Sequence, residues 1–514
     1  MRRRLHVRAV RAALLAALAA ASPAAATNGA KPIADGARAQ GRGGVDVALA
    51  EDATAIASNP AGLAFIDGQR VDQTLGLILP RVQWRGPTDR DRNREPWLPV
   101  GSFGFVFDFQ EPWHLDEVLT FRDEARSELP SRLQASYAGS PFKFGFGIFP
   151  VKGGNVRLNF TTPFWDADPD AGLDRQRPRY QTISQEVGIH LALGYRLSEK
   201  LAFGLSPSFV LSRLEVDQPL AQPTSILKGH PVGTSGLTYA DVAPFQGIEQ
   251  IEGLSDLDGA STFGFRVKLG VLWHVNETVS LGLTYAPPSY TLDYLGRVAV
   301  DLNRMVAKVD PQGTLLKPVV AANTGIPPED QDYRGAYNVR LKPFAVPQEV
   351  AVGIAVRLPR LTLGLDLRWL QWSQANEEFR AELTDGTSPE LNELTGDGSG
   401  RTQAEVPLDW EDQLVVAVGA AVAVTDWLVL RAGYNWANNP VPDETLQPTL
   451  PAIFTHHLTG GFSLWWRRLE LSGAVEWALP VEQRTARNLA NRSYDGTEVE
   501  AELFWFSLGI GASF

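Results

Sequence analysis

The sequence predicts an all-β protein: a transmembrane antiparallel β-barrel of about fourteen strands, with an N-terminal hatch (plug) inside the lumen. Three observations support this fold class. The chain opens with an export signal, its body carries long runs in which apolar and polar residues alternate, and a glycine-rich segment without alternation lies between the two. Alternation with a period of two gives each strand one apolar and one polar face. The predicted regions are therefore 1–26, 27–69 and 70–514.

Composition excludes several other classes of protein. The 514 residues are 44% hydrophobic and 21% charged, which is too apolar for a disordered chain. There is no cysteine, which excludes a disulfide framework and a thiolate metal site. No window reaches about 18 uninterrupted apolar residues, so we expect no membrane-spanning helix. The formal net charge of −12 makes nucleic acid an unfavourable partner.

Residues 1–26 are predicted to be a secretory signal peptide. Five arginines precede an apolar stretch from Ala12 to Ala21, and Ala24, Ala25 and Ala26 supply the small residues of a cleavage site. The alternative is a short buried helix, which the strongly basic flank disfavours. Export is what an outer-membrane protein of a Gram-negative bacterium requires.

The barrel strands are predicted from period-two alternation, most clearly at the C-terminus. One face of that segment carries Phe504, Phe506, Leu508, Ile510, Ala512 and Phe514. Such runs are about twice the usual length of strands in a β-sandwich, and they match the roughly 9–11 residues that a tilted strand needs to cross a bilayer. A soluble secreted β-protein is the alternative.

Fourteen segments carry the pattern, an even number, as single-chain bacterial barrels have. They are 70–84, 98–109, 136–150, 180–196, 200–216, 261–276, 278–295, 347–358, 360–373, 408–424, 427–437, 454–466, 468–479 and 499–514. Very short joints alternate with long polar connections at 217–260, 296–346 and 374–407. This asymmetry predicts periplasmic turns at one end and extracellular loops at the other.

Residues 27–69 are predicted to form the hatch. They are rich in glycine and other small residues, as in 41–44 and 57–64, and show little alternation. Small residues allow close backbone packing inside a confined lumen. The alternative is a flexible N-terminal tail.

Several motifs, in order along the chain, resemble those of the FadL/TodX family of outer-membrane transport proteins for long-chain fatty acids and other hydrophobic compounds. The run Asn59-Pro60-Ala61-Gly62-Leu63 is similar to the family's Asn-Pro-Ala hatch motif. Segments that resemble strands of the family are 191–204, 347–373 and 431–434. The segments 217–260 and 296–346 match no part of the family pattern.

The resemblance implies passive transport of a hydrophobic small molecule, without enzymatic activity or a cofactor. It implies capture at the outer loops, passage to a lumen pocket, and release when the hatch rearranges, with Asn59, Pro60, Ala61 and Gly62 as gating residues. Release is expected to be sideways into outer-membrane lipid, because an apolar solute gains nothing from entering water. The terminal Phe514 fits the aromatic signal read by the barrel assembly machinery. We expect a monomer.

Four cations are candidate ligand-binding residues, since a fatty-acid carboxylate would need a positive charge in a mostly apolar cavity. They lie on the polar phase of their strands and are Arg266, Lys268, Arg368 and Arg431. The alternative is structural pairing with lumen carboxylates, because unpaired buried charge is costly. The carboxylates considered are Asp366, Glu470 and Glu476.

The segment from Tyr137 to Phe142 is the candidate for a lateral opening, with Gly139 and Pro141 as its key residues. Proline within a strand removes a hydrogen-bond donor from the ladder and favours a bulge or a break. The alternative is that Pro141 simply starts the strand.

No metal site is expected, and the alternative function is an outer-membrane barrel enzyme that hydrolyses or transfers acyl esters of lipids. The chain lacks Gly-x-Ser-x-Gly, His-Glu-x-x-His and Walker A patterns, which disfavours that alternative. The acidic run Asp166–Asp174 resembles the start of a calcium loop, but its glycine comes one place late and Arg177 stands where the closing glutamate would be. A solvated acidic loop is expected.

Overall fold

The computed structural model describes residues 28–95, 97–108, 140–229, 236–243, 248–342, 344–396 and 398–514. The predicted signal peptide lies outside these residues, and so does Gly139. None of the described helices is long and apolar enough to cross a membrane.

The strands are, in chain order, β1 (Arg70–Arg85), β2 (Arg90–Arg92), β3 (Leu98–Phe107), β4 (Phe142–Asn159), β5 (Arg179–Arg196), β6 (Leu201–Pro223), β7 (Gln250–His274), β8 (Val279–Ala286), β9 (Tyr290–Thr291), β10 (Tyr294–Asp301), β11 (Arg334–Leu341), β12 (Glu349–Arg357), β13 (Leu361–Leu370), β14 (Glu378–Thr384), β15 (Thr402–Pro407), β16 (Gln413–Ala423), β17 (Leu428–Ala437), β18 (His456–Trp466), β19 (Leu469–Thr485) and β20 (Thr497–Ser513). The α-helices are α1 (Ala37–Gln40), α2 (Tyr239–Val242), α3 (Asn303–Val309), α4 (Lys317–Thr324), α5 (Trp372–Ala375) and α6 (Pro389–Gly396).

Fourteen of the strands close into one antiparallel barrel, which confirms the predicted fold class. They are β1, β3 to β8, β12, β13 and β16 to β20. The barrel closes where β20 pairs with β1, from Arg70 opposite Ser513 to Arg85 opposite Glu498. Closure satisfies the backbone of both strands and removes the free sheet edge at this seam.

The two ends of the barrel differ, as predicted. Short turns lie at the end that holds the start of β1 and the chain terminus, and they are 197–200, 275–278, 358–360, 424–427 and 467–468. Most long connections lie at the opposite end; the one between β3 and β4, residues 108–141, joins its strands at the same end as the short turns and falls mostly outside the described residues. This is the arrangement of periplasmic turns and extracellular loops, so the two ends are called the periplasmic end and the outer end.

The three long connections were predicted to be polar loops, and here the prediction is wrong. Strands β6 and β7 pair as far as Pro223 opposite Gln250, so much of 217–260 is strand. Strand β11 and most of β10 lie within 296–346, and β14 and β15 lie within 374–407. These strands extend beyond the membrane, so their outward face meets water. In β11, Asn338 and Arg340 are exposed while Val339 is buried, so alternation persists without the apolar outward face that marks a membrane strand.

The lipid-facing surface of the barrel is apolar, as the alternation predicts. On β8 and β12, the outward side chains of Leu283 and Val352 are exposed, while their neighbours Thr284 and Ala351 are buried in the lumen. Exposed tryptophans lie at the periplasmic ends of the strands, at Trp273, Trp427 and Trp466. Aromatic rings at this level are typical of the membrane interface.

Several strands are interrupted at one level, and the intervening segments turn into the lumen. Between β11 and β12 this segment carries Phe344, between β13 and β14 it carries Trp372, and between β15 and β16 it carries Trp410. The three rings pack together, with centroids 5.2 Å apart for Trp372 and Trp410 and 5.6 Å apart for Phe344 and Trp410. This aromatic layer contacts the hatch at Ala30 and packs on its other side against Phe379.

We expect Val352→Arg to lower the free energy of unfolding by about 2–4 kcal/mol, the cost of a cation on the lipid face near the bilayer midplane. Urea unfolding in phospholipid vesicles measures it. Leu358→Arg is the matched control, because Leu358 is equally exposed, at 45%, but lies in a periplasmic turn. Its cost should be at most about 1 kcal/mol. Equal costs would contradict the placement of β12 in the membrane.

Candidate functional site

The hatch, described from Asn28 to Gln69, fills the lumen toward the periplasmic end. It contains α1 and two short 3₁₀ helices, Ala53–Ile56 and Pro60–Phe65. Each 3₁₀ helix begins with a side-chain cap: the Asp52 carboxylate accepts from Thr54 N at 2.9 Å, and Asn59 Oδ1 accepts from Ala61 N at 3.2 Å. These caps hold the compact turns that the small residues of the hatch permit.

The hatch contacts the barrel wall at a row of lumen-facing glycines, called here the glycine belt. At each of them an added Cβ atom would lie within 3.0 Å of a hatch atom, which is closer than real contacts allow. The belt has one glycine on each of ten consecutive barrel strands: Gly104, Gly145, Gly194, Gly204, Gly270, Gly282, Gly353, Gly364, Gly419 and Gly433. Glycine weakens a strand, so its recurrence here indicates a close approach of the hatch to the wall.

The predicted gating residues lie at this belt. A Cβ at Gly204 would lie 2.1 Å from Ala61 N, and one at Gly270 would lie 2.1 Å from Asn59 Oδ1. The Asn59 side chain also donates to the carbonyls of Val47, at 2.8 Å, and Val271, at 3.1 Å. The Asn59-Pro60-Ala61 motif therefore joins the hatch to strand β7.

Gly62 completes that motif on the inner side of the hatch. A Cβ there would lie 2.3 Å from the Ala50 carbonyl oxygen, so only glycine allows these two hatch segments to pack together. The structure thus gives Asn59, Pro60, Ala61 and Gly62 a docking role. Their role in gating stays a prediction.

One buried ionic cluster surrounds Glu349 at the start of β12. Its carboxylate binds Lys31 from the hatch and accepts from Arg266 Nη2 and from Lys268 Nζ, each at 3.3 Å. On the adjacent strand, Arg368 pairs with Asp46 of the hatch and lies 3.2 Å from Asp366. Such dense pairing is what makes charges in a lumen interior tolerable.

The Asp366 carboxylate also binds the hatch backbone. Its Oδ2 accepts from Asp46 N at 2.8 Å and from Val47 N at 3.0 Å. The hatch segment that lies over Gly353 and Gly364 therefore has its amides satisfied by a wall side chain.

A second ionic cluster surrounds Glu51 of the hatch, which lies 2.9 Å from Arg357 and 3.3 Å from Arg38. Burial alone would raise the pKa of Glu51, but the guanidinium groups of Arg357, Arg42 and Arg38 outweigh it and lower the pKa to about 2. Arg38 also approaches Glu470 of β19, at 3.6 Å. The cluster therefore joins the hatch to strands on two sides of the barrel.

The four predicted ligand cations all face the lumen, but they lie in these clusters at the hatch. Arg368 pairs with Asp366, and Arg431 donates to Ser463 Oγ, which in turn donates to Glu470. Arg266 and Lys268 bind Glu349, a partner that sequence analysis did not name. The geometry thus supports structural pairing, and the ligand role of these four residues stays a prediction.

A cavity of about 180 Å³ lies in the outer half of the lumen. On β7 it begins at Leu257, 13 residues from the hatch contact at Gly270, or roughly 40 Å along the strand. None of the described residues that line it is charged. Representative apolar residues of the lining are Leu214, Leu257, Val298, Val339, Phe379 and Leu450.

Three polar side chains of the cavity lining bond to one another. Thr182 Oγ1 donates to Thr449 Oγ1 at 2.9 Å, and Thr449 Oγ1 donates to Gln218 Oε1 at 2.8 Å. This network leaves an apolar surface to face the cavity.

A second apolar cavity, of about 190 Å³, lies under the helices of the outer loops. Met305 of α3 and Val319 of α4 line it, and the two cavities share Ile251 and Leu302. One route can thus run from the outer loops into the lumen.

Asp310 holds the loop between α3 and α4. Its carboxylate accepts from four consecutive backbone amides, from Thr314 to Lys317, at 2.7 to 3.0 Å. Burial alone would raise its pKa, but these four donors outweigh it and lower the pKa below its ordinary value. These bonds therefore hold the loop from which Leu315 and Leu316 line the second cavity.

The barrel wall has an unpaired stretch between β3 and β4, called here the wall gap. The two strands pair only from Phe103 opposite Ile148 to Phe107 opposite Phe144. Residues 98–102 of β3 therefore lack a partner on that side, and β4 bulges after Pro150. Two strands that are not hydrogen-bonded to each other separate more easily, so the wall gap is the candidate site for a lateral opening.

The hatch covers the wall gap from inside. Gly153 N donates to the Ala30 carbonyl at 3.3 Å, and Ser102 Oγ donates to the Asp35 carbonyl at 2.9 Å. The predicted lateral opening involved Pro141, which lies directly before β4 at the periplasmic end. Opening at Gly139 and Pro141 stays a prediction. Sequence analysis missed the wall gap, because the absence of strand pairing leaves no signal in a single sequence.

Among the described residues, no group of three or more His, Asp or Glu side chains could hold a metal ion. In the acidic run, Asp166 lies 3.2 Å from Arg175, and Asp168 lies 3.6 Å from Lys308.

A closed barrel, a plug docked in its lumen and apolar cavities above the plug are the features of a plugged outer-membrane transport protein. The chain belongs to the family of outer membrane protein transport proteins (OMPP1/FadL/TodX), whose family profile matches residues 15–467. The resemblance found in the sequence is thereby confirmed. No curated protein matches the chain.

Solved structures of the family share the fold. The toluene transporter TbuX of Ralstonia pickettii superposes with a TM-score of 0.63 at 16% identity, covering 94% of this chain and 98% of TbuX. The toluene transporter TodX of P. putida gives 0.65 at 16% identity, covering 94% and 99%. A FadL homologue of Pseudomonas aeruginosa gives 0.61 at 15% identity, covering 95% and 100%.

We expect Gly204→Val to displace the hatch while the barrel still folds, because valine favours strands but its Cβ would overlap the hatch backbone. Single-channel conductance should rise by about tenfold or more, since an unplugged barrel of this size leaves an aqueous channel. Gly154→Val is the control, because a Cβ there meets no atom within 4 Å. Unchanged conductance of Gly204→Val would argue against docking at the belt.

Proposed function

We propose that this protein carries neutral, apolar small molecules of the size of a single aromatic ring across the outer membrane, without chemical change. The observation that carries the proposal is the uncharged outer cavity. Its volume of about 180 Å³ is close to that of a cavity of about 150 Å³ that binds benzene in another protein. The similar TbuX and TodX structures are those of toluene transporters, which agrees with this ligand class.

The charge distribution supports a neutral ligand over an ionised fatty acid. A buried carboxylate without a cation costs several kcal/mol. The four candidate cations bind carboxylates and polar groups at the hatch, below the aromatic layer, and none of them lines the cavity. An ionised ligand would thus lack a partner in the site.

The route we propose begins at the cavity under the outer helices and continues through the shared residues Ile251 and Leu302 into the lumen cavity. It ends at the wall gap, where the ligand passes sideways into membrane lipid. Apolar molecules favour this exit because lipid, unlike the periplasm, does not expose them to water.

Release requires the hatch to leave the wall gap. Residues 30–35 cover the gap, and Lys31 anchors this segment to Glu349 across the lumen. We propose that displacement of residues 28–35 is the gating step. The rest of the hatch can stay docked at the glycine belt, so water and ions remain excluded.

We expect Val298→Trp to lower toluene affinity by about tenfold or more, because the larger side chain fills the cavity. Leu295→Trp is the matched control: it lies on the same strand but faces outward, with 60% exposure, and should leave affinity unchanged. Calorimetry with toluene and with oleate measures both. Oleate binding that is tight in the wild type and lost in Val298→Trp would contradict the neutral-ligand proposal.

A disulfide between Ala30→Cys and Gly153→Cys should lock the hatch over the gap. Their backbones are hydrogen-bonded, which is compatible with the Cα separation of about 4.4–6.8 Å that a disulfide needs. The chain has no cysteine of its own, so the pair forms without competition. Under oxidation, toluene uptake by proteoliposomes should fall about tenfold and recover with dithiothreitol. Full uptake by the oxidised protein would exclude this gate; each single cysteine variant is the control.

A further inference from the structure

A lysine without exposed surface lies at the wall gap. Lys152 of β4 is 0% exposed, and its Nζ lies 3.0 Å from Glu186 Oε1 on β5. The same ammonium donates to the Ala345 carbonyl at 3.3 Å and lies 3.8 Å from the centroid of the Phe344 ring. Two of these contacts join the lysine to the segment that turns inward between β11 and β12, and the third joins it to β5.

Phe344 lies between the lumen cavity and the gap. On one side its ring stacks on Phe379, which lines the cavity, with centroids 5.5 Å apart. On the other side it contacts the Lys152 ammonium. Contacts therefore continue from the cavity through Phe379 and Phe344 to Lys152, and a ligand moving from cavity to gap meets the Phe344 ring on its way.

The Phe344 segment is also held from behind. Val346 N donates to Ser289 Oγ at 2.9 Å, and Ser289 N donates to the Val346 carbonyl at 3.0 Å. These bonds fix the base of the segment, whereas Lys152 fixes its tip. Movement of the ring must therefore release its contact with Lys152 as well as its packing on Phe379 and Trp410.

A buried ion pair is weak evidence for stability, because apolar residues of similar volume often stabilise a protein as well or better. An ammonium does something that an apolar side chain cannot: it holds a carbonyl and an aromatic face in one orientation. Tyr294 Oη also approaches Glu186, at 3.4 Å, and helps to fix the carboxylate.

We infer that Lys152 and Glu186 form a latch that holds Phe344 across the path from the cavity to the wall gap. Phe344 is the barrier, and the ion pair positions it. The inference rests on the proposed function, since it assumes an apolar ligand in the cavity that leaves through the gap. The latch is a second barrier to release, separate from the hatch, and it lies on the cavity side of the wall gap.

The test compares release rate with affinity, using toluene and detergent-purified full-length protein. Phe344→Ala and Lys152→Met should each raise the dissociation rate by about tenfold while Kd changes less than about threefold, because a lower barrier speeds binding and release together. Lys152→Arg should restore slow release. Lys143→Met is the matched control: it removes another buried lysine of β4, one that bonds the Gly68 carbonyl and lies nine residues, or roughly 30 Å, along the strand from Lys152.

Each outcome bears on the latch. If Lys152→Met does not fold, Phe344→Ala still tests the barrier with the ion pair intact. Unchanged dissociation from Phe344→Ala, together with lost binding in Val298→Trp, overturns the latch and leaves the proposed function standing. A wild-type protein that binds no toluene overturns both. Equal acceleration in Lys143→Met would show a general loosening and would also overturn the latch.

Discussion

The close approach of the hatch backbone to the barrel wall is the contact on which the rest of the structure depends. Ten consecutive strands contribute a glycine to it, and an added Cβ at any of these positions would overlap a hatch atom. Backbone brought so close must have its polar groups satisfied locally. Asp366 does this for the amides of Asp46 and Val47, and Asn59 does it for the carbonyls of Val47 and Val271. Shape and hydrogen bonding therefore select one docked position of the hatch.

This docking also determines where charge can lie in the lumen. The wall cations Arg266, Lys268 and Arg368 are bound to carboxylates at the hatch, and Glu349 is shared between wall and hatch. These charges are paired at the hatch, and none of the described residues that line the cavity of about 180 Å³ is charged. In the proposed function, the separation of a charged hatch interface from an uncharged cavity accounts for a preference for apolar solutes.

Much of the fold could be predicted from the sequence, because each barrel strand meets lipid on one side and the alternation is strong. The segment 180–196 was predicted and β5 runs from Arg179 to Arg196. The strands of the outer extension were missed because they are only six to eight residues long, shorter than a strand that crosses a bilayer, and carry largely polar residues on their outward face. The lumen direction of Arg266 and Arg368 followed from phase, and Asp366 was named as a partner and pairs with Arg368. Glu349, the partner of Arg266, was missed because only the pairing of the strands brings it close. The glycine belt could have been predicted, because its glycines recur at lumen-facing positions in the middle of successive strands.

Opening of the wall gap is opposed by the backbone polar groups that line it. Lipid offers no hydrogen bonds, so each unpaired backbone group there must find a partner inside the protein. Along the free edge of β4, Gly153 N binds the hatch carbonyl of Ala30, and farther out Arg157 N binds Asn93 Oδ1. Moving the hatch away removes the first of these bonds and supplies no replacement. In the proposed route an open gap is therefore costly, which favours solutes that cross it without water and disfavours those that must carry water with them.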